Sequence, residues 1–350
     1  MKFLLYFVSS AFILVGSCAQ TKHSVKIENL RSSIKILDSA VVVKYARSIT
    51  SDELKKIVYE FASNDFLGRE AGEIGQRKAA DYINNFYVKN EIYSPLGNKQ
   101  HKQAIPKEFF EGLILKDSEN VLAYIEGEEK PEEVVIISAH LDHLGIKDGN
   151  IYFGADDNGS GTAGLLQIAQ AFKIAEYEGF RPKRSILFLH VTAEENGLYG
   201  SRYYLKNPAF ELENTICDLN IDMIGRVDPL HKKNRNYIYL IGSDRLSTEL
   251  HYISERVNKT YFNLELDYTL NDENDRNRFY YRSDHYNFAK NNIPVIFYFN
   301  GVHEDYHVPS DTADKIDYDL LALRTKLVFA TAWQLANQEK RIVIDALKAN

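Results

Sequence analysis

The sequence is short of cysteine: Cys18 and Cys217 are the whole complement in 350 residues. Two thiols cannot build a disulfide framework or a cysteine-rich zinc site, so any metal here must be held by histidine and carboxylate. Cys217 lies in the apolar-flanked stretch from Thr215 to Met223 and is expected to be a buried thiol. Proline is scarce at 8 residues, and no long Pro- or Ser-rich tract interrupts the chain. No linker and no internal repeat is evident, which argues for one large domain over 51–345 preceded by an N-terminal arm over 18–50. Basic charge is also in deficit: 42 Lys and Arg stand against 49 Asp and Glu, a net charge of −7. That balance excludes an electrostatic nucleic-acid binder.

What the chain does have in quantity is apolar and aromatic residues, 45% and 12%. This is enough to bury a sizeable core. At the N-terminus Lys2 precedes an apolar run from Phe3 to Val15 and then Gly16-Ser17-Cys18-Ala19. A basic start and an apolar stretch too short to span a bilayer read as a signal peptide over 1–17. Val15-Gly16-Ser17-Cys18 also resembles a bacterial lipobox, with Cys18 as the lipidated residue. The expected address is therefore the bacterial cell envelope, periplasmic or outer-membrane, with membrane contact only through the lipid. If Cys18 is not lipidated, the chain is secreted.

Patterning along the chain alternates between the two periods. Residues from Ser24 to Ala46 carry weak signals and read as strand-turn-strand or a packing arm. Helices are predicted from Ser51 to Ser63, with Ser51 as cap, and from Gly75 to Glu91. Strands from Asn120 to Ile125 and Val134 to Ser138 then give way to strict alternation. Helices are expected at 161–174, 200–205, 246–257 and 317–338, and strands at 185–191, 216–224, 237–241 and 293–299. This order predicts a three-layer α/β/α sandwich around a mostly parallel, mixed central sheet. The polar stretch from Asp267 to Arg282 is long for a connection and is expected to be a lid or pocket wall.

Polar groups recur where the predicted strands end, which is where open α/β sheets bind ligands. His140 and Asp142 follow the strand from Val134, and period-2 geometry puts them on one side. Asp156 and Asp157 lie some 15 residues on. Glu194 and Glu195 end the next strand, Asp222 the one after, and His307 sits in the loop beyond 293–299. Two imidazoles and several carboxylates can hold two divalent ions, with one carboxylate shared and another free as a base.

AHLDHLG, GADDNGSGTAG, TAEENGLYGS, NIDMIG and DYHVPSDTADKID resemble, in order, the successive motifs of the M28 family of zinc aminopeptidases. FLGREAGEIGQRKAADYI resembles that family's N-terminal segment. The resemblance runs over about residues 50–340 and implies a zinc-exopeptidase-like fold. It implies that His140 binds one Zn2+ and His307 a second, that Asp157 bridges them, and that Glu195 and Asp222 each complete one ion. It also implies Glu194 as general base, Asp142 as orienter of the His140 ring, and Tyr306 as donor to the oxyanion. The partners implied are peptides with a free N-terminus. An alternative from the same kinship is a single-zinc glutaminyl-peptide cyclotransferase. A metal-retaining, non-catalytic binding protein is a third reading, against which Glu194 argues.

Several features match no motif position. His143 and His303 are expected exposed or in support of a ligand, Asp156 in support or, as the alternative to Asp157, as the bridging carboxylate, and His190 has no assigned role. Ser283-Asp284-His285 reads as a cleft wall, because no G-x-S-x-G elbow occurs. Gly159-Ser160-Gly161-Thr162-Ala163-Gly164 satisfies G-x-G-x-x-G but follows two aspartates that would repel a pyrophosphate, so no nucleotide cofactor is expected.

Overall fold

A computed structural model describes residues 25–97 and 100–345. The signal peptide, the lipobox and Cys18 lie outside the described residues. The chain divides into two units, Met1–Ile36 and Leu37–Asn350. In the first, a helix α1 runs over 25–33. The second takes in residues 37–50, which the sequence had placed in the arm. There α2 (Ser39–Ala46) buries Val42, Tyr45 and Ala46 and packs against two of the main helices. Val41-Val42-Val43 reads as a strand by propensity, but burial of one helical face prevails over that preference.

Chain order gives α3 (Ser51–Phe61), α4 (Ile74–Lys89), β1 (Lys102–Ile105), β2 (Ser118–Ile125) and β3 (Lys130–His140). A short hairpin follows, β4 (Ile146–Lys147) and β5 (Asn150–Ile151), then α5 (Gly161–Tyr177), β6 (Arg184–Val191), α6 (Tyr199–Lys206) and β7 (Thr215–Ile221). The chain continues with β8 (Tyr237–Ile241), α7 (Thr248–Tyr261), β9 (Glu265–Asp267), α8 (His285–Lys290), β10 (Val295–Phe299) and α9 (Tyr318–Asn337). Thr50, not Ser51, caps α3 by accepting the Glu53 N–H. Asp317 caps α9 in the same way through Leu320.

Eight strands form one mixed sheet in the order β1-β2-β6-β3-β7-β10-β8-β9. The centre, β6-β3-β7-β10, is parallel throughout. β1, β2 and β8 run antiparallel to their inner neighbours. Every residue of β6, β7 and β10 is buried, as continuous apolar strands covered on both faces should be. On one face Phe188 packs with Phe172 of α5, whose ring stacks on Trp333 of α9. On the other, Leu187 and Leu189 meet Tyr204 of α6 and Phe288 of α8. The result is the three-layer α/β/α sandwich.

His190 is now accounted for. It lies on the α4 side of β6, where its Nε2 meets the Tyr87 hydroxyl at 2.8 Å, and burial pushes its pKa down to about 3. It is a neutral core histidine. Cys217 is buried, with its thiol pKa raised by burial. The four parallel strands all point their C-terminal ends the same way, and the loops leaving them form the site.

Candidate metal centre

β3 delivers His140 fully buried, and its Nε2 lies 3.3 Å from Asp157 Oδ1 and 3.2 Å from Asp222 Oδ1. The other oxygen of Asp157 turns the opposite way, 3.0 Å from His307 Nε2. His307 Nε2 is in turn 3.1 Å from Glu195 Oε2. The five side chains nominated as ligands therefore converge as two groups that share Asp157. Each triad His140–Asp157–Asp222 and His143–Asp157–Glu195 also keeps its donor atoms within 4.8 Å of one another.

The second triad contains a residue the sequence did not nominate. His143 is not exposed. It is buried, its Nδ1 meets Glu195 Oε1 at 2.8 Å, and its buried Nε2 has no hydrogen-bond partner among the described residues. Glu195 thus presents one oxygen to each of two imidazoles. His143 lies three residues beyond His140 in the AHLDHLG motif, and that proximity was the available signal.

Asp142 does something different from what was expected. The His140 Nδ1 lies 3.2 Å from the backbone carbonyl of Asp142 but 3.8 Å from its carboxylate. The carboxylate turns instead towards the loop after β6, where its two oxygens accept the N–H groups of Glu194 at 3.2 Å and Glu195 at 3.4 Å. The main chain orients the histidine ring, while the side chain holds the glutamate pair.

Local backbone geometry explains the glycine run. A Cβ on Gly161 would stand 2.3 Å from Asn158 Oδ1 and 2.6 Å from the Ile221 carbonyl. Only glycine admits that approach. Asn158 uses it to join two ligand loops, donating from Nδ2 to Ile221 O and accepting from Gly161 and Met223 N–H. The glycines serve this junction, not a phosphate.

More distant residues tie the loops down. Asp311 accepts the N–H groups of Asp156 and Asp157 at 3.0–3.1 Å. Asp156 supports from behind, accepting from Gly225 N–H at 2.7 Å and lying 3.0 Å from the buried His303 Nε2. Ser283 donates to Asp222 Oδ2 at 2.7 Å. Ser283, Asp284 and His285 make no triad: Asp284 bonds Ser201, and both His285 ring nitrogens lack a hydrogen-bond partner among the described residues. Arg69 is wholly buried beneath the site. It gives Nε to Leu141 O, Nη1 to the carbonyls of Phe61 and Phe153, and Nη2 to Gly154 O, at 2.7–3.0 Å. Burial lowers its pKa to about 10, against the pull of Asp157, Asp311 and Asp142.

The electrostatics follow from burial against crowding. Burial opposes the charge on Asp157, but hydrogen bonds from His140 and His307 hold its carboxyl well below the ordinary range. Burial would lower the His140 imidazole, yet the charges of Asp222 and Glu194 carry it well above its usual value. Among the described residues the Glu194 carboxylate has no such hydrogen-bonded partner. Burial pushes its carboxyl well up, with the charges of Asp222 and Glu195 adding to the effect.

These groups line an open pocket. Asp157, Glu194, Asp222 and His307 form one side, Met223, Phe279, Phe297 and Phe299 another, and Tyr306 and Arg282 complete it. Phe279 and Arg282 bring the end of the stretch 267–282 into the pocket wall, while Asn271 to Asn274 line a separate surface pocket. Imidazole nitrogens and carboxylate oxygens, clustered and, among the described residues, without a compensating lysine or arginine ion pair, are the donor set zinc prefers.

A family profile, Peptidase family M28, matches residues 120–332. The chain belongs to peptidase family M28. This M28 chain is 34% identical over 133 residues to the aminopeptidase NAALADL1 of Rattus norvegicus, a match covering 37% of this chain and 17% of that one. The match spans about a sixth of that relative's length. Among solved structures, the LapA aminopeptidase of Legionella pneumophila superposes with a TM-score of 0.67 at 20% identity, covering 87% of this chain and 76% of that one. The Bacteroides thetaiotaomicron glutaminyl cyclase bound to N-acetylhistamine superposes at 0.62 with 18% identity, covering 81% and 98%. At such identities the likeness carries the fold.

Proposed function

We propose that this M28 chain is a zinc-dependent aminopeptidase with two ions per chain, removing N-terminal residues from peptides. The observation that carries the reading is the splay of Asp157, with Oδ1 at 3.3 Å from His140 and Oδ2 at 3.0 Å from His307. A carboxylate with one oxygen towards each of two imidazole-carboxylate groups suits a shared ligand. His140 and Asp222 would complete one ion, Glu195 and His307 the other, with His143 close enough to Glu195 to fix its orientation.

Bound there, zinc would supply a water of lowered pKa and polarise the scissile carbonyl. The chain's own residues do the rest. Glu194, its carboxyl pushed up by burial, takes the proton from the attacking water and passes it to the leaving amine. Asp142 holds the Glu194 and Glu195 backbone so that neither carboxylate can drift. Tyr306 faces the same pocket and is placed to donate its hydroxyl to the developing oxyanion. The acidic side of the pocket favours a substrate's α-ammonium.

The deciding experiment compares peptide reporters with free and blocked amino termini, with a zinc count on the purified protein. Release from free-amine substrates alone, with two zinc ions per chain, is expected. Equal cleavage of blocked substrates would overturn the exopeptidase assignment. One zinc with cyclisation of N-terminal glutamine, and no hydrolysis, would establish the cyclotransferase instead. Export and lipid attachment at Cys18 belong to the same reading. Failure of a fatty-acid label to enter the chain would remove the anchor.

A further inference from the structure

The pocket contains one permanent cation that its mechanism does not use. Arg282 ends the stretch 267–282 and faces the same space as Glu194, Asp157 and Asp222. A guanidinium beside three carboxylates would ordinarily pair with one of them. Here it does not: among the described residues no acidic group lies within ion-pair distance of Arg282. Two contacts hold it away. Its guanidinium carbon sits 4.8 Å from the centroid of the Phe279 ring, a cation-π arrangement. Its Nη2 donates to the Tyr306 hydroxyl at 3.2 Å. Tyr306 in turn stacks on His307, ring centroids 3.8 Å apart.

The guanidinium is thus fixed through Tyr306 to a nominated ligand, and among the described residues its remaining N–H groups have no hydrogen-bond partner. A planar fork of donors held in place without an internal acid matches an external carboxylate. The aromatic floor of Phe279, Phe297 and Phe299 would take an apolar side chain. The bland alternative is that Arg282 is an exposed arginine that merely covers Phe279. In that case its removal would not care what charge the substrate carries.

We infer that Arg282 is a specificity-determining residue that binds a free carboxylate on a short peptide substrate. This rests on the aminopeptidase reading and narrows it to dipeptide-sized or acidic substrates. Two sources share that chemistry: the C-terminal carboxylate of a dipeptide, and an acidic side chain next to the scissile bond.

The test uses the zinc-loaded full chain with Phe-Ala, Phe-Ala amide, Phe-Asp amide and Glu-Ala amide. For the wild type, kcat/KM for Phe-Ala should exceed that for Phe-Ala amide by about tenfold or more, the effect of one charged hydrogen-bonded contact. In Arg282→Gln that ratio should fall to near one, and Arg282→Lys should restore part of it. A gain for Phe-Asp amide or Glu-Ala amide over Phe-Ala amide would show that a side-chain carboxylate suffices. Equal rates for all four in the wild type, or an equal loss on all four in Arg282→Gln, would overturn the inference while leaving the aminopeptidase reading intact. If no peptide with a free amine is cleaved, that reading fails. Calorimetric binding of Phe-Ala against its amide then decides Arg282 alone: a carboxylate-dependent affinity lost in Arg282→Gln supports it, and equal or absent binding overturns it.

Discussion

The backbone N–H of Asp157 donates to Asp311 Oδ2 at 3.1 Å, so the loop carrying His307 grips the residue placed between the two donor groups. Asp311→Asn would replace one acceptor oxygen by a donor facing other donors. Outer contacts of this kind typically change metal affinity by about 10–100-fold. Zinc titration of the apo variant should show weakened binding with little change in the circular-dichroism spectrum. Wild-type zinc affinity would mean that the contact is only structural.

On the proposed reading, a change at Glu194 separates catalysis from metal binding. Glu194→Gln keeps the shape, removes the base, and should lower kcat by about 10²–10⁴-fold. Zinc content by mass spectrometry should stay at the wild-type value, because Glu194 stands outside both donor groups. Wild-type turnover in this variant would sink the mechanism.

The ion-free protein should respond to pH in a definite direction. Burial opposes the charge on His307, but hydrogen bonds to Asp157 and Glu195 raise its pKa to about 10 from an ordinary 6.5. The folded state therefore holds a proton that the unfolded state releases above pH ~6.5. Stability from this group is complete below ~6.5 and is lost as pH rises through about 10. The melting temperature in chelator should decline across that window. Zinc affinity should rise over the same range, because binding displaces the proton. A melting temperature that climbs from pH 7 to 10 would contradict the assignment.

Arg69→Met would remove a donor from four carbonyls, of which Gly154 O keeps the Gly159 N–H, and each one left buried without a partner costs about 1–3 kcal/mol. A loss of more than ~3 kcal/mol in urea unfolding is expected, with lowered zinc affinity in whatever remains folded. Arg69→Lys should rescue little, since one ammonium cannot reach acceptors on three separate segments. A wild-type unfolding midpoint in either variant would show the guanidinium to be dispensable.

The sheet and the strand-end residues were legible because both depend on local pattern. The apolar runs at 134–138 and 185–191 announced buried parallel strands, and ligand-type residues followed each at its exit. His143, Asp311 and Arg69 were not legible in the same way. Arg69 and Asp311 work through backbone carbonyls and amides, which no side-chain pattern displays, and their partners lie as far as 155 positions away. β4, β5 and α8 span two, two and six residues, too short for a period to emerge. Of the two readings of Ser24 to Ala46, α2 fits the packing arm and not the strand-turn-strand, because burial of one helical face outweighs the strand preference of three consecutive valines.

The buried guanidinium of Arg69 also sets the smallest piece of this chain that could work alone. The family profile matches residues 120–332, a stretch that contains every nominated ligand and none of the segment bearing Arg69. A fragment cut to those limits would keep all five nominated ligands. It would lose the clamp that binds the exit of β3 to the loop before Asp157. Arg69 lies 51 residues before the profile match begins, so a chain cut at residue 120 would leave Asp142, Asn158 and Asp311 to hold the ligand loops without it.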